Sequence, residues 1–208
     1  MSEKKRMLSE KLYIPADKEL MRRYEKARRI SYEFNRTMPE ELEKRERLMS
    51  ELLGSYGEDV IITPPFRCDY GENIFIGDHF FANYDCIMLD VAEIHIGNNV
   101  FFGPRVGLYT AAHPLDPRIR RRKLEYGKSI IIEDDVWIGG DVVINPGITI
   151  GKGSVVGSGS VVTKDVPPNV VAMGNPCRVL RELTEEDEKY WTMLEREYDE
   201  DVKREQEE

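Results

Sequence analysis

Every sixth residue from Ile132 onward is Ile or Val: Ile132, Ile138, Ile144, Ile150, Val156 and Val162. Four positions after each stands a second small or β-branched residue, in order Val136, Val142, Ile148, Ser154, Ser160 and Val166. Neither the period of an α-helix nor the simple alternation of a strand survives over this stretch, whereas a six-residue repeat is a β-helix period. Each hexad then forms one short flat face with its aliphatic residue inward, and three hexads close a triangular coil. Successive coils stack like the strands of a parallel sheet, about 4.8 Å apart, so equivalent residues lie over one another as ladders. Gly139, Gly151, Gly157 and Asn145 follow the ladder residues, where the turns are expected to need small residues or positive φ.

The same period governs Ile76, Ala82 and Met88, and then Ile96, Phe102 and Leu108, with a two-residue slip between the two sets. The repeat is interrupted over 111–129, an Arg-rich stretch with two X-Pro steps. Inside a solenoid such an insertion is a projecting loop, the usual place for a site. The solenoid is assigned to 59–182 and an N-terminal helical segment to 1–58. Leu20, Tyr24, Ala27 and Ile30, then Leu42, Leu48, Met49 and Leu52, recur at helical spacing, with Pro39 expected to start the second helix and Gly54 with Gly57 to end it. A C-terminal helix and tail take 183–208. Thr184 is its N-cap, followed by acidic residues in the first turn, and fraying is expected beyond Asp199.

A chain of 208 residues supports one core. Its net charge of −9 repels nucleic acid, so any cationic patch is local and directed at a small anion. No apolar run has signal-peptide or membrane-spanning length, which predicts a cytoplasmic protein with no membrane partner. Cys68, Cys86 and Cys177 are odd in number and far apart, and read as free thiols.

Several local motifs stand on this repeat: Tyr32-Glu33-Phe34-Asn35, Cys68-Asp69-Tyr70-Gly71, Thr110-Ala111-Ala112-His113-Pro114, Val136-Trp137-Ile138-Gly139, Asn145-Pro146-Gly147, the run 157–165 and Gly174-Asn175-Pro176-Cys177-Arg178. With them the chain resembles the hexapeptide-repeat acyltransferases, and within these the maltose, galactoside and nodulation O-acetyltransferases. The resemblance implies a left-handed parallel β-helix, against the usual crossover hand. It further implies acetyl-CoA as co-substrate, a sugar hydroxyl as acceptor, no metal requirement, and a homotrimer with active sites shared between subunits.

O-acetylation needs a base that removes a hydroxyl proton as the oxygen attacks the thioester, and an imidazole suits that near neutral pH. His113 is the candidate, in the one long loop and beside a proline. Asp69 and Asn83 match the family's sugar-contact positions, Asp90 lies near one, and Glu125 closes the His113 loop to hold sugar or His113. Phe81, where galactoside enzymes have Tyr, tilts the acceptor towards maltose or glucose. Coenzyme A needs cations for its phosphates and small residues along its pantetheine arm. Lys164, Arg178 and Arg181 supply the first, although the C-terminal arginines also have an acidic final helix to pair with. Gly140, Ser158 and Thr163, which match the family's positions along its coenzyme A groove, are expected to supply the second. Trp137 either contacts the thioester region or belongs to the core. The run Arg120–Lys123 reads as a solvated face. Two alternatives remain at this point. One is a metal-dependent hydratase of the carbonic-anhydrase type, in which His95 and His113, three hexads apart, stack and a neighbour adds a third histidine; against it, no loop carries two closely spaced histidines. The other is a non-catalytic binding β-helix.

Overall fold

The computed structural model describes residues 1–207. Its core is a triangular prism of stacked short parallel strands. The first face contains Ile74–Ile76, Ile94–Ile96, Ile130–Ile132 and Thr149–Ile150. The second runs from Ile61–Ile62 through Phe81–Ala82, Phe101–Phe102, Trp137–Ile138 and Val155–Val156 to Val170–Met173, where Arg178–Glu182 adds antiparallel. The third contains Phe66–Cys68, Cys86–Leu89, Gly107–Tyr109, Val143–Ile144 and Val161–Val162. The hexad ladders are these faces seen from inside: Ile76, Ile96, Ile132 and Ile150 are in register, as are Met88, Leu108, Ile144 and Val162. All of them are buried, and so are the residues four positions on, except Ala112 where the insertion begins. Ser154 and Ser160 are tolerated there because each hydroxyl is bonded to backbone of the last coil, Val170 N–H donating to Ser154 and Gly174 N–H to Ser160.

The turns differ from the expectation in a regular way. Positive φ falls not on the glycines that follow the ladder residues but three positions after those from Ile132 to Val156, at Asp135, Asp141, Gly147, Gly153 and Gly159. Asp and Gly tolerate that region best. Gly139 is small for a different reason: a Cβ there would lie 2.6 Å from the backbone nitrogen of Ser158 in the next coil.

Register explains the slip and the break. Ladder partners are 18 residues apart at Ile132 and Ile150, 20 apart at Ile76 and Ile96, and 36 apart at Ile96 and Ile132. The two extra residues widen the corner between the third and first faces, and the long insertion leaves the stack at that same corner.

Three helices close the lower end. α1 (Glu3–Leu8) was not foreseen; Ser2 caps it and Met7 is its buried anchor. α2 (Lys18–Phe34) is capped by Asp17 and buries Leu20, Ala27, Ile30 and Phe34. α3 (Leu42–Leu52) starts later than Pro39 predicts, because Pro39 lies in the preceding turn. Phe34, Leu48, Leu52, Ile62 and Phe66 pack where the solenoid would otherwise end open. Asn35 seals the exposed edge of the first third-face strand: its amide donates to Phe66 O and accepts from Phe66 N, both at 2.8 Å. α4 (Pro117–Arg120) is a single turn in the loop. α5 (Glu185–Glu207) runs on past Asp199, where Arg204 pairs back to Glu200 and Asp201. No helix among the described residues is long and apolar enough to cross a membrane. The three cysteines are unpaired and buried.

Candidate active site

The insertion opens as a hairpin, Ala111–Ala112 against Tyr126–Gly127, with Ala112 opposite Tyr126. Continuing that register sets His113 opposite Glu125, and their nearest side-chain atoms, Nε2 and Oε1, are 4.0 Å apart. That is too long for a hydrogen bond but close enough for the carboxylate to stabilise an imidazolium. Glu125 is itself held. Its backbone exchanges two hydrogen bonds with Tyr13, and the buried Tyr13 hydroxyl donates to Oε2 at 3.0 Å. Burial and the Glu125 charge push the Tyr13 phenol well above its ordinary range, so it stays a donor. One hairpin strand further on, Ser129 donates to Glu10 through both N–H and hydroxyl. The N-terminal segment therefore straps the base of the His113 loop. Arg120 bonds Pro114 O within the loop, consistent with a solvated Arg120–Lys123 run.

The widened corner beneath carries Asp69. A cleft of 230 Å³ joins it to Tyr13, Tyr70 and Glu125. Burial, then the Glu125 charge, raises the Asp69 carboxyl to about 6. Asp90 differs from its expected role. It is fully buried, and its two oxygens accept N–H bonds from Asp69, Tyr70 and Asn73. It lies under the cleft, fixing the backbone that presents Asp69, instead of facing a sugar. Burial raises its carboxyl to about 7, opposed by those same N–H bonds. Asn73 donates to Asp90 O, and Thr110 in the next coil bonds Ala92 N and Leu89 O. These buried polar residues, with Tyr13, escaped the sequence reading because nothing in the local pattern separates a corner pin from a surface turn residue.

The remaining predicted residues divide between corners. Thr163 and Lys164 follow Val162, so they stack above Asp69 on the loop corner and are exposed. Asn83, Gly140 and Ser158 lie on the corner between the second and third faces. Asn83 follows Ala82, and the register runs Ala82, Phe102, Ile138, Val156, Ala172. Asn83 there accepts Tyr84 N–H at 2.8 Å. Trp137 points outward from the second face and is 55% exposed, which removes the core alternative. Arg178 lies on the terminal hairpin beside Met173. Arg181 is committed to Asp187 at 2.6 and 2.8 Å, the acidic-helix pairing. The structure thus places Glu125 between the His113 loop and the cleft that holds Asp69. It does not bring Asn83, Gly140 or Ser158 to them, since a whole face intervenes.

The metal alternative loses its geometric premise. His95 is in register with Phe75 and Ile131, stacked on the Phe75 ring at 5.0 Å and bonded to Glu93, and does not stack with His113. His79 occupies a positive-φ turn against Asp59.

The maltose acetyltransferase hexapeptide capping motif matches residues 6–57, and the bacterial transferase hexapeptide, in six repeats, matches 129–164. A galactoside O-acetyltransferase of Lactococcus lactis is 40% identical over 184 residues, 88% of this chain and 89% of that protein. The chain belongs to the galactoside and maltose O-acetyltransferase family of hexapeptide-repeat proteins. The crystal structure of a maltose O-acetyltransferase from Clostridium difficile 630 superposes with a TM-score of 0.84 at 50% identity, covering 88% of this chain and 98% of that one. A hexapeptide-repeat acetyltransferase of Vibrio cholerae, complexed with acetyl coenzyme A, gives 0.83 at 44% identity, covering 88% and 100%. As a member of this family the protein is an acetyltransferase with acetyl-CoA as co-substrate. The glycine corner fits that molecule. Gly103 and Gly139 let successive coils touch backbone to backbone there, and Gly157 makes room for the Met173 side chain of the last coil, leaving a strip of small residues between Gly103 and Ser158. A long flexible arm can lie along such a strip against peptide groups.

Proposed function

We propose that this protein transfers the acetyl group of acetyl-CoA to a sugar hydroxyl, with a maltose- or glucose-like acceptor, in sites shared between the subunits of a homotrimer. The observation that carries the shared site is the division just described. The base and Asp69 stand on one corner of the prism, and the acceptor residue Asn83 with the groove residues Gly140 and Ser158 on another, so a neighbouring prism is the simplest way to unite them. Ile61, Phe81, Phe101 and Trp137 form an outward apolar ladder on the second face beside the groove corner, Ile61, Phe101 and Trp137 each more than half exposed, and such a stripe favours association.

Bound acetyl-CoA supplies the thioester. Asp69 orients the acceptor, His113 takes the proton from the attacking hydroxyl, and Glu125 stabilises the imidazolium that forms. Backbone N–H groups on the glycine corner stabilise the oxyanion, whose collapse breaks the C–S bond and releases the coenzyme A thiolate to take the proton back from His113, and no covalent acetyl-enzyme is required. The test is acetyl transfer to a panel of sugars, read as released coenzyme A thiol. His113→Ala should lower turnover about a hundredfold or more with folding intact. Turnover within a few-fold of wild type would remove His113 from the base role, and no transfer to any sugar would remove the acceptor class.

A further inference from the structure

The cleft holding Asp69 opens into a second basin of 560 Å³ between α2 and the first strands of the third face, and Tyr24 and Asp69 line both. The two basins differ in charge. The first is walled by carboxylate and phenol. The second gathers three guanidiniums: Arg28 of α2, Arg36 just past its end, and Arg67, whose side chain projects from the strand Phe66–Cys68. Arg23, Arg105, Arg118 and Arg181 each hold a carboxylate. Among the described residues Arg28, Arg36 and Arg67 hold none, in a chain of net charge −9.

Glu25 and Glu33 stand three positions before Arg28 and Arg36 on the same helical stretch, a spacing at which ion pairs form. Both arginines turn instead to tyrosine rings. The Arg28 guanidinium carbon lies 5.5 Å from the Tyr24 ring centre and that of Arg36 4.0 Å from the Tyr32 ring centre, and Arg36 also donates to the Tyr32 hydroxyl. A guanidinium laid against an aromatic ring is oriented without being neutralised, and the donors it does not spend, all but one of the fork in Arg36, remain for an oxyanion. Tyr24 and Tyr32 also offer flat surfaces suited to a sugar ring.

We infer that the acceptor carries an anionic group, a phosphate or a carboxylate, on the part of the sugar remote from the acetylated hydroxyl, and that Arg28, Arg36 and Arg67 bind it. This rests on the sugar-acceptor reading above, with the hydroxyl end at Asp69 and His113 and the anionic end in the arginine basin.

Calorimetric titration with glucose, glucose 6-phosphate and glucuronate tests it. At least one anion should bind about tenfold or more tightly than glucose, the scale of a charge-assisted hydrogen bond, and added salt should shrink the margin. Which anion wins separates phosphate from carboxylate. Arg28→Ala with Arg36→Ala should abolish the margin. Arg67→Ala, at an exposed side chain, should reduce it with the unfolding midpoint unchanged. Glucose binding as tightly as both anions, or a margin that survives every variant, overturns the assignment. Turnover of the same three sugars with acetyl-CoA separates the two readings. Acetylation of glucose without an anion margin sinks the arginine basin alone, whereas tight anion binding with no acetylated sugar sinks the acceptor reading and, with it, the assignment of the bound anion to an acceptor.

Discussion

Asp69 is held where its charge is costly. Burial and Glu125 raise its carboxyl from the model-peptide value to about 6, so the folded chain binds that proton more tightly than the unfolded chain does. Stability from this group is therefore fully present below about pH 4, declines as pH rises through about 6, and stays lower above it. Asp69→Asn, which keeps the shape and removes the charge, should stabilise the protein by on the order of 2 kcal/mol at pH 7.5 and by nothing at pH 4. Denaturant unfolding at the two pH values measures this, and equal differences at both would refute it. Acetyl transfer should fall in the same variant, because the charge lost is the one proposed to orient the acceptor. At this scale the sequence reveals residue types but not their direction. Asp69 and Asp90 are both aspartates at the same corner of successive coils, yet one faces the cleft and the other is sealed beneath it by three N–H donors. Nothing in the spacing of the two distinguishes them.

At the scale of elements the ladders were legible because burial selects aliphatic residues every sixth position without exception from Ile132 to Val162. The insertion was legible for the converse reason, as the place where that selection stops. What could not be read is how the loop is held, since the strap comes from residues more than a hundred positions away: Glu10 on Ser129, and Tyr13 on Glu125. α1 was missed because its only buried side chain is Met7, too little for an amphipathic pattern. Removing residues 1–16 should leave the solenoid folded, because its ladders and the α2–α3 cap remain. The hairpin would lose its backbone partner, its Glu10 anchor and the phenol that positions Glu125. Transfer should drop about tenfold or more, since displacements near 1 Å carry costs of that order. Trypsin should cut newly within the Arg-rich run 118–123. An unchanged digestion pattern with full activity would show that the strap does not hold the loop.

For the whole molecule, the arrangement that matters is between corners. A single prism places His113 and Asn83 a face apart, and in the proposed assembly three prisms packed about a threefold axis would set the loop corner of each against the groove corner of the next. If that is the working assembly, His113 of one subunit acts with Asn83 of another, and damage to the two residues is separable. His113→Ala and Asn83→Ala homotrimers should each be nearly inactive. Mixing differently tagged chains under reversible dissociation, then purifying trimers that carry both tags, yields rings in which one of the three interfaces joins an intact His113 to an intact Asn83. This holds whether the ring contains one or two copies of either variant, because around a closed cycle of two chain types there is one junction of each order. Activity should therefore return to about a third of wild type in every mixed ring. Were both residues drawn from the same chain, no mixed ring would contain an intact site and the purified heterotrimers would stay as inactive as their parents. A chain that sediments as an active monomer would defeat the shared site altogether, since a lone prism has no neighbour to bring its two corners together.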